Sequence, residues 1–344
     1  MVVFAIMSTH PDGAIDLDTA TPPPPPPSRR RGRIVAAAAA GALILSLMTA
    51  TKVAGRGATP PDAAAALRAA AEAAERSAPD HGEARLVTIR QFELDVFPSE
   101  DGGTGVDRHD FLVRERIPAD PEEPWHRRTR ELAPDEGWAP DRGADTGVVI
   151  NDWQGVCGDY FPTPGQDPCT RPGLWQDPTP VFLAGLPEEP AALVARLHAD
   201  VVADGAELDA AGLEQESLLY AAAALESGIA ARSRADIYRA LATLPGLSMD
   251  PQPVVLRDGR NGTAVTLDAR GDRVEIAVDT GSGEFLGWRR FLIAPRDGLP
   301  AGTVTAVTIV RVTTPRRGRR RTSPASRGCR RARRGHGPDA GDRC

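Results

Sequence analysis

The sequence predicts an α+β fold with one large antiparallel sheet, preceded by a single transmembrane helix. Strand-like segments form one group before and one group after a block of helical segments, whereas a parallel α/β fold would alternate them. An uncharged run, residues 34–51, predicts the transmembrane helix. Hydrophobic residues make up 41% of the 344 residues and aromatic residues only 5%, so we expect a core built mainly from Ala, Val and Leu.

The N-terminal segment, residues 1–33, is polar from Ser8 onward and contains six consecutive prolines, which favour a stiff polyproline stretch without a packed core. We predict that this segment is disordered and cytoplasmic. Four arginines at its end precede the uncharged run, and only Lys52 and Arg56 follow the run closely. The positive-inside rule therefore orients the N-terminus toward the cytoplasm and the chain after about residue 52 toward the outside.

Residues 34–51 are near the lower length limit of a spanning helix, which is about 17–25 residues. A buried helix of a soluble protein would show a polar face, and this run has none. A cleaved signal peptide would show a small-x-small pattern, which is poor around residues 48–54. The favoured interpretation is an uncleaved anchor of a single-pass cell-membrane protein.

Residues 52–84 are predicted to form a juxtamembrane linker and an Ala-rich helix. The motif TPPD at 59–62 is a helix start signal, and Asp80 begins the turn after the helix. Because this helix has few large apolar residues, we expect it to cross the surface of the domain rather than to fill its core.

An extracytoplasmic α+β domain is predicted over residues 85–314. Segments that alternate apolar and polar residues between Gly, Pro and Asp turns predict an antiparallel meander. Its strands are expected at residues 85–96, 111–117, 125–132 and 146–153. Helices are expected at 190–203, 213–228 and 234–244, followed by strands near 253–258, 262–269, 273–279, 284–294 and 303–312. Ser233 and Asp236 have the spacing of a capping box at the start of the third helix.

The tripeptide Asp-Thr-Gly occurs at Asp145 and at Asp279, and in aspartic proteases two such carboxylates share one proton. Each of those carboxylates follows a buried apolar strand. Asp279 does follow Ala277 and Val278, but Asp145 lies in a polar loop before a strand. The alternative for Asp279 is local, because DTGSGE joins two strands and Asp and Gly are typical of a hairpin turn. We therefore predict a turn and no catalytic residue, and an aspartic protease is the third of three functional hypotheses.

Other signatures of chemistry are missing from the sequence. It has no Gly-x-Ser-x-Gly elbow and no dinucleotide fingerprint between a strand and a helix. A phosphate-binding loop would need a lysine, and Lys52 is the only one. The histidines of the predicted domain form no two-His motif with a carboxylate at metal spacing. We predict no enzyme activity, no cofactor and no metal site.

Cys157 and Cys169 lie together in a Pro/Gly-rich loop between the first strands and the helices. In an oxidising compartment, two cysteines in one irregular loop are expected to form a disulfide. A metal site would need further ligands, and the flanking sequence supplies only Asp159 and Asp167.

The C-terminal segment, residues 315–344, contains eleven arginines and two aspartates, and we predict that it is disordered. Its composition fits either a genuine basic arm or the product of a frameshift in a GC-rich gene. The rest of the chain has 30 basic and 45 acidic residues, a formal charge of −15. This charge argues against nucleic acid as a partner of the folded domain.

Three blocks of the sequence resemble a family of actinobacterial single-pass membrane proteins of unknown function. The blocks are Pro178-Thr179-Pro180 leading to FLAGLPEEPAALVARL, then ADIYRALATLPGLS, then RDGRNGTAVTLDARGDRVEIAVDTGSGEFLG. The resemblance covers residues 85–312. It implies an exported domain similar to the half-barrels of lipoprotein carriers and mycobacterial lipoproteins, in which an open curved sheet wraps helices over an apolar cavity. The basic tail departs from this pattern.

Two functions of different classes lead the hypotheses. The first is a non-enzymatic protein that binds or senses an apolar ligand, such as a lipid, between sheet and helices. The residues expected to face that ligand, or else to fill a closed core, are Leu218, Leu219, Leu225, Ile237, Leu241 and Leu244. The second is a protein-interaction and regulatory sensor with the topology of a membrane-anchored anti-sigma protein, although residues 1–33 are too short for a folded sigma-binding domain.

Overall fold

The structure is a computed structural model that describes residues 62–77, 84–99, 103–133, 147–205 and 207–314. Within these ranges the helices are α1 (Ala63–Arg76), α2 (Pro180–Ala184), α3 (Pro190–Ala203), α4 (Ala210–Glu226) and α5 (Ala231–Leu241). The strands are β1 (Arg85–Pro98), β2 (Thr104–Ile117), β3 (Pro124–Leu132), β4 (Val148–Val156), β5 (Ser248–Met249), β6 (Val254–Val255), β7 (Asn261–Ala269), β8 (Asp272–Val278), β9 (Phe285–Leu292) and β10 (Val304–Thr313).

All ten strands belong to one open sheet, in the order β4-β3-β2-β1-β10-β9-β8-β7-β5, with β6 also paired to β7. Every pairing is antiparallel. The two predicted groups of strands are joined by β1 and β10, with Leu86 opposite Thr313 and Glu93 opposite Ala306. The α+β class and the single large antiparallel sheet are therefore confirmed.

The hairpin of β1 and β2 is longer than predicted. The expected start of the second strand at residue 111 is wrong, because β2 begins at Thr104 and opposes β1 along its whole length. The hairpin loop is closed by the Ser99 N–H, which donates to the Gly103 carbonyl at 2.9 Å. At this end the side chains of both strands are mostly exposed, so a ladder of backbone hydrogen bonds extends the hairpin without an apolar pattern.

The core lies between one face of the sheet and the helices. Its buried side chains come from several helices and from the second half of the sheet, and they include Leu67, Leu197, Leu218, Leu225, Ile237, Leu241, Val274, Ile276 and Val310. The other half of the sheet consists of β2, β3 and β4, and an irregular loop after β4 packs against it through Asp159 and Tyr160.

Helix α1 begins as predicted, since the Asp62 side chain accepts a hydrogen bond from the Ala64 N–H. Its predicted place on the surface is wrong. Leu67, Ala70 and Ala74 are fully buried, and α1 packs against α5. The alanines that we interpreted as a weak core signal instead allow the backbones of α1 and its neighbours to approach closely.

The predicted capping box at the start of α5 is also wrong. The helix begins at Ala231, and its N-cap, Ala230, makes no side-chain cap hydrogen bond. Ser233 and Asp236 therefore lie inside the helix. Ala231 and Ala235 are buried, so packing against the core extends the helix by one turn beyond the local capping signal.

Several predictions fall on other parts of the chain. The segment 1–33, the proposed anchor 34–51, the linker up to residue 61 and the tail 315–344 lie outside the described residues. Among the helices that the structure describes, none is long and apolar enough to cross a membrane.

Candidate functional site

Asp279 closes the tight turn between β8 and β9. Its Oδ1 accepts hydrogen bonds from the N–H groups of Gly281 (2.8 Å) and Ser282 (3.3 Å), and its carbonyl accepts from the Gly283 N–H (2.7 Å). Burial tends to raise the pKa of this carboxyl, but the hydrogen bonds from Gly281 and Ser282 outweigh burial and hold the pKa below its usual value. The predicted turn is confirmed, whereas Asp145 lies outside the described residues.

The same turn holds two helices in place. The Ser77 hydroxyl at the end of α1 donates to the Ser282 carbonyl at 3.1 Å, and the Arg234 guanidinium of α5 donates to the Gly283 carbonyl at 2.8 Å. Gly283 has a φ of 73°, and a Cβ at this position would lie 2.3 Å from the backbone nitrogen of Ala74. The turn therefore packs directly against the backbone of α1, and only glycine fits at position 283.

The predicted disulfide between Cys157 and Cys169 is present, with 5.0 Å between the two Cα atoms. It closes an irregular loop that begins directly after β4. Cys157 is buried and has a φ of 56°, so the chain turns sharply as it leaves the sheet. The disulfide thereby holds the loop over the half of the sheet formed by β2, β3 and β4.

A buried charged network joins this loop to the sheet. Glu115 of β2 is almost fully buried and accepts hydrogen bonds from Arg127 at both oxygens (3.1 Å each) and from the Tyr160 hydroxyl (2.5 Å). The Arg127 guanidinium also lies 4.7 Å from the centre of the Tyr160 ring and 3.6 Å from Asp177. Burial and the neighbouring Glu115 carboxylate raise the pKa of Tyr160 far above its usual value. Each charge in this network has a partner, which marks it as a structural link.

The three described histidines each contact carboxylates. The pairs are His109 with Asp95 and Glu131, His126 with Asp152, and His198 with Glu214. Among the residues placed by the structure, no group of three or more His, Cys, Asp and Glu is arranged to hold a metal ion. These pairs therefore support no metal chemistry in this part of the chain.

Glu226, at the end of α4, faces the sheet and is mostly buried. The Trp288 indole N–H donates to its Oε1, and the Gln91 amide donates to its Oε2 at 3.3 Å. Burial raises the pKa of Glu226 to about 7, although the hydrogen bonds from Trp288, Thr308 and Gln91 oppose that shift. This carboxyl therefore changes its protonation state near neutral pH.

A cavity of about 570 Å³ lies where the sheet corner between β2 and β3 meets α2, α3 and α5, and we call it the corner cavity. Its apolar walls include Ile117 at the end of β2, Trp125 at the start of β3, Leu183 of α2, Leu193 of α3 and Ile237 of α5. Five prolines from the β2–β3 turn and from both ends of α2 complete these walls. The lining is thus mostly apolar and drawn from elements far apart in the sequence.

The polar part of the lining is concentrated in a few side chains. Arg232 and Glu188 form an ion pair at 2.6 Å, and both side chains are more than three-quarters exposed, so this pair lies at the solvent edge of the cavity. Arg85 donates to the Gly228 carbonyl at 2.7 Å and also lines the cavity. The arrangement suits an amphipathic molecule with an apolar body and a polar end.

The wall formed by α2 is held firmly. Thr179 caps this helix by accepting from the Phe182 N–H (3.2 Å), and its hydroxyl donates to the Arg171 carbonyl (2.9 Å). The Phe182 ring packs edge-on against Trp175, with 5.2 Å between ring centroids, and the Trp175 indole donates to Asp200 at 2.8 Å. These contacts indicate that the cavity is preformed.

The disulfide loop packs against the Trp125 ring. A Cβ at Gly158 would lie 3.2 Å from the Trp125 ring, so the loop backbone packs directly on the indole. The Trp125 Nε1 is buried and has no acceptor among the described residues. An unpaired buried N–H costs about 1–3 kcal/mol, so this position is one where an acceptor would be stabilising.

Of the two arrangements expected for the helix surfaces, the structure shows the closed core. Leu218, Leu225, Leu241 and Leu244 are each no more than 5% exposed and pack within the main cluster, with Leu219 partly buried against it. Only Ile237 also lines the corner cavity. Sequence reasoning missed this site because its walls come from turns and from α2, whose five residues are too few for a helical period, although Thr179 and Pro180 supply a recognisable cap.

Comparison with known protein families finds no family model that matches the chain, and comparison with curated proteins finds no match.

Proposed function

We propose that the chain is a non-enzymatic, membrane-anchored, extracytoplasmic protein that binds or senses an apolar ligand, such as a lipid, in the corner cavity. One observation carries the proposal: a partly open cavity of about 570 Å³ has walls that are more apolar than polar, with a few polar groups. Sites for small molecules have volumes of about 300–1,000 Å³ and this kind of lining. The site takes an apolar chain against Trp125, Leu183 and Ile237.

The polar residues of the lining define the other end of the ligand. Arg232 and Glu188 already neutralise each other at the solvent edge, so a ligand that keeps its polar group near them stays hydrated. Burial of the apolar part contributes about 25 cal/mol for each Å² removed from water. We therefore propose a single-chain amphiphile rather than a fully apolar compound.

The location outside the cytoplasm is supported by two features. The disulfide between Cys157 and Cys169 belongs to the class of bonds that persist in oxidising compartments. The arginines before residues 34–51 orient a spanning helix in the same sense. The resemblance to lipoprotein-carrier half-barrels supports the finer proposal that the open sheet is curved around its helices.

The test compares ligand retention by cavity-filling and control variants of the full-length chain. Ala184 lines the cavity, whereas Ala191 is exposed on α3 outside the lining. We expect lipid extracts of the purified wild-type and Ala191→Trp proteins to contain a specific amphiphile, identified by mass spectrometry, and the Ala184→Trp extract to lack it. Because lipid around the anchor copurifies with every variant, the difference between variants is the readout.

Equal lipid content in all three proteins would contradict the proposal. The regulatory protein-interaction module of anti-sigma-like topology would then be the better hypothesis. A peptidase activity that is inhibited by pepstatin and abolished by Asp279→Asn would instead support the aspartic-protease hypothesis.

A further inference from the structure

Strand alternation and register segregate charge across the sheet. Val87, Ile89 and Val310 pack into the helix-covered core, so the residues that alternate with them on β1 and β10 point to the opposite face. On that opposite face of β10, β1, β2 and β3, the strand register aligns seven arginines, which we call the basic face. They are Arg90, Arg108, Arg114, Arg116, Arg128, Arg130 and Arg311.

The two sides of these strands have opposite charge. Asp110 is the only carboxylate that β10, β1, β2 and β3 place on the basic face. The helix side of β1, β2 and β3 carries five carboxylates: Glu93, Asp95, Asp107, Glu115 and Glu131. The basic face therefore stands out on a body whose formal charge outside the arginine-rich tail is −15.

Part of this charge has no counterion within the described residues. Arg90, Arg114 and Arg116 form no ion pair with any described residue, and Arg116 is exposed. The Arg114 Nε is buried without an acceptor in the same part of the chain. Burial, followed by the charges of Arg114 and Arg311, lowers the pKa of Arg90. These guanidinium groups repel one another, and an external anion would relieve that repulsion.

Other arginines of the basic face do have partners, and Arg108 pairs with the buried Asp110 at 2.7 Å. Arg128 pairs with Asp152 at 2.5 Å, and Arg311 pairs with Asp258 at 3.3 Å, but both arginine side chains are about half exposed. Solvent-exposed ion pairs of this kind are weak, so their arginines can also contact an outside anion.

We propose that the basic face docks on the anionic phospholipid surface of the membrane that anchors the chain. This inference rests on the proposed anchor at residues 34–51. Only ten residues separate the end of that run from Asp62, a distance of at most about 40 Å when extended. The folded domain therefore stays close to the bilayer, and docking needs only a rotation of the domain.

A membrane fits this surface better than a nucleic acid does. Leu86 and Val96 are each 36% exposed and lie on the same face of β1 as the arginines. A headgroup and acyl-chain boundary accepts both cationic and aliphatic side chains, whereas the outer surface of a nucleic acid is dominated by charged phosphates. Phe92, the aromatic residue of β1 on this face, is buried and so cannot stack on a base.

Arginine footprinting of the full-length chain in nanodiscs tests the docking. Phenylglyoxal modification would be followed by mass spectrometry in discs of phosphatidylcholine alone and in discs that also contain phosphatidylglycerol. We expect Arg116 and Arg311 to be protected only in the anionic discs, and high salt to remove the protection. Arg76, which is 67% exposed on α1 and lies outside the corner cavity, is the internal control and should react equally in both.

A matched pair of variants measures the electrostatic contribution. Arg116→Gln should reduce the docking equilibrium about fivefold, read from protection at Arg311, because one arginine near an anionic surface has about that effect. Arg76→Gln should leave it unchanged. The arginine-rich tail is kept in every protein, so differences between variants report the basic face alone.

Equal reactivity of Arg116 in the two kinds of disc would overturn the proposal, and so would equal protection in both. Protection by a DNA duplex in solution, without protection in anionic discs, would assign the face to nucleic acid and also overturn it. Retention of the chain in phosphatidylcholine discs tests the anchor separately, and the lipid extracts test the corner cavity, so failure of one proposal is distinguishable from failure of another.

Discussion

Replacing Gly283 with alanine tests whether the packing of α1 against the Asp-Thr-Gly turn stabilises the fold. The new Cβ would lie 2.3 Å from the Ala74 nitrogen and 2.6 Å from the Ala70 carbonyl oxygen, and both are backbone atoms that cannot rotate away. Overpacking in a closed site costs about 1–3 kcal/mol. The φ of 73° adds the cost of a left-handed conformation, about 1–2 kcal/mol for a residue with a Cβ. We expect Gly283→Ala to reduce the free energy of unfolding by about 2–5 kcal/mol.

Gly246 supplies a matched control for this substitution. Its φ is 78°, and a Cβ there would meet nothing within 4 Å, so Gly246→Ala should show only the conformational cost of about 1–2 kcal/mol. Urea unfolding with an unchanged m-value measures both variants against the wild type. The difference between them reports the contact of the turn with α1. Equal destabilisation by the two substitutions would show that α1 does not rest on the turn.

Two further predictions concern pH and redox state. Burial raises the pKa of Glu226 from 4.5 to about 7. Between pH 4.5 and pH 7 the native state therefore keeps a proton that the unfolded chain releases, so the free energy of unfolding falls as the pH rises through this range. Glu226→Gln should remove this pH dependence of the free energy of unfolding, measured by urea unfolding, and should be more stable than the wild type above pH 7 by up to about 3 kcal/mol. An unchanged pH dependence would contradict the raised pKa of Glu226. Cys157 and Cys169 should resist thiol reagents until reduced, in a background with Cys329 and Cys344 replaced by serine, and reduction should cost about 3 kcal/mol. Two reactive thiols in the oxidised protein would contradict the disulfide and weaken the proposed location.

Local sequence patterns were sufficient for many elements. The helical period in α3 reflects one buried side, with Leu193, Leu197 and Val201, and one side open to solvent, a property of the segment alone. The disulfide was predictable because Cys157 and Cys169 are close in sequence, inside one irregular loop. The turn at Asp279 was predictable because the Asp carboxylate and the glycines satisfy its backbone over five residues.

Long-range packing decided the rest. The alanines of α1 do not by themselves show that the helix is buried, because its close approach depends on the absence of a side chain at Gly283. The first turn of α5 depends on the burial of Ala231 rather than on a cap at Ser233. The corner cavity joins β2, β3, α2, α3 and α5, and its lining follows from how these elements meet. Strand alternation assigned each arginine a side of its own strand, but only the register of β10, β1, β2 and β3 brought seven of them together. A periodic pattern specifies which side of an element is buried, whereas contacts between distant segments decide what that side meets.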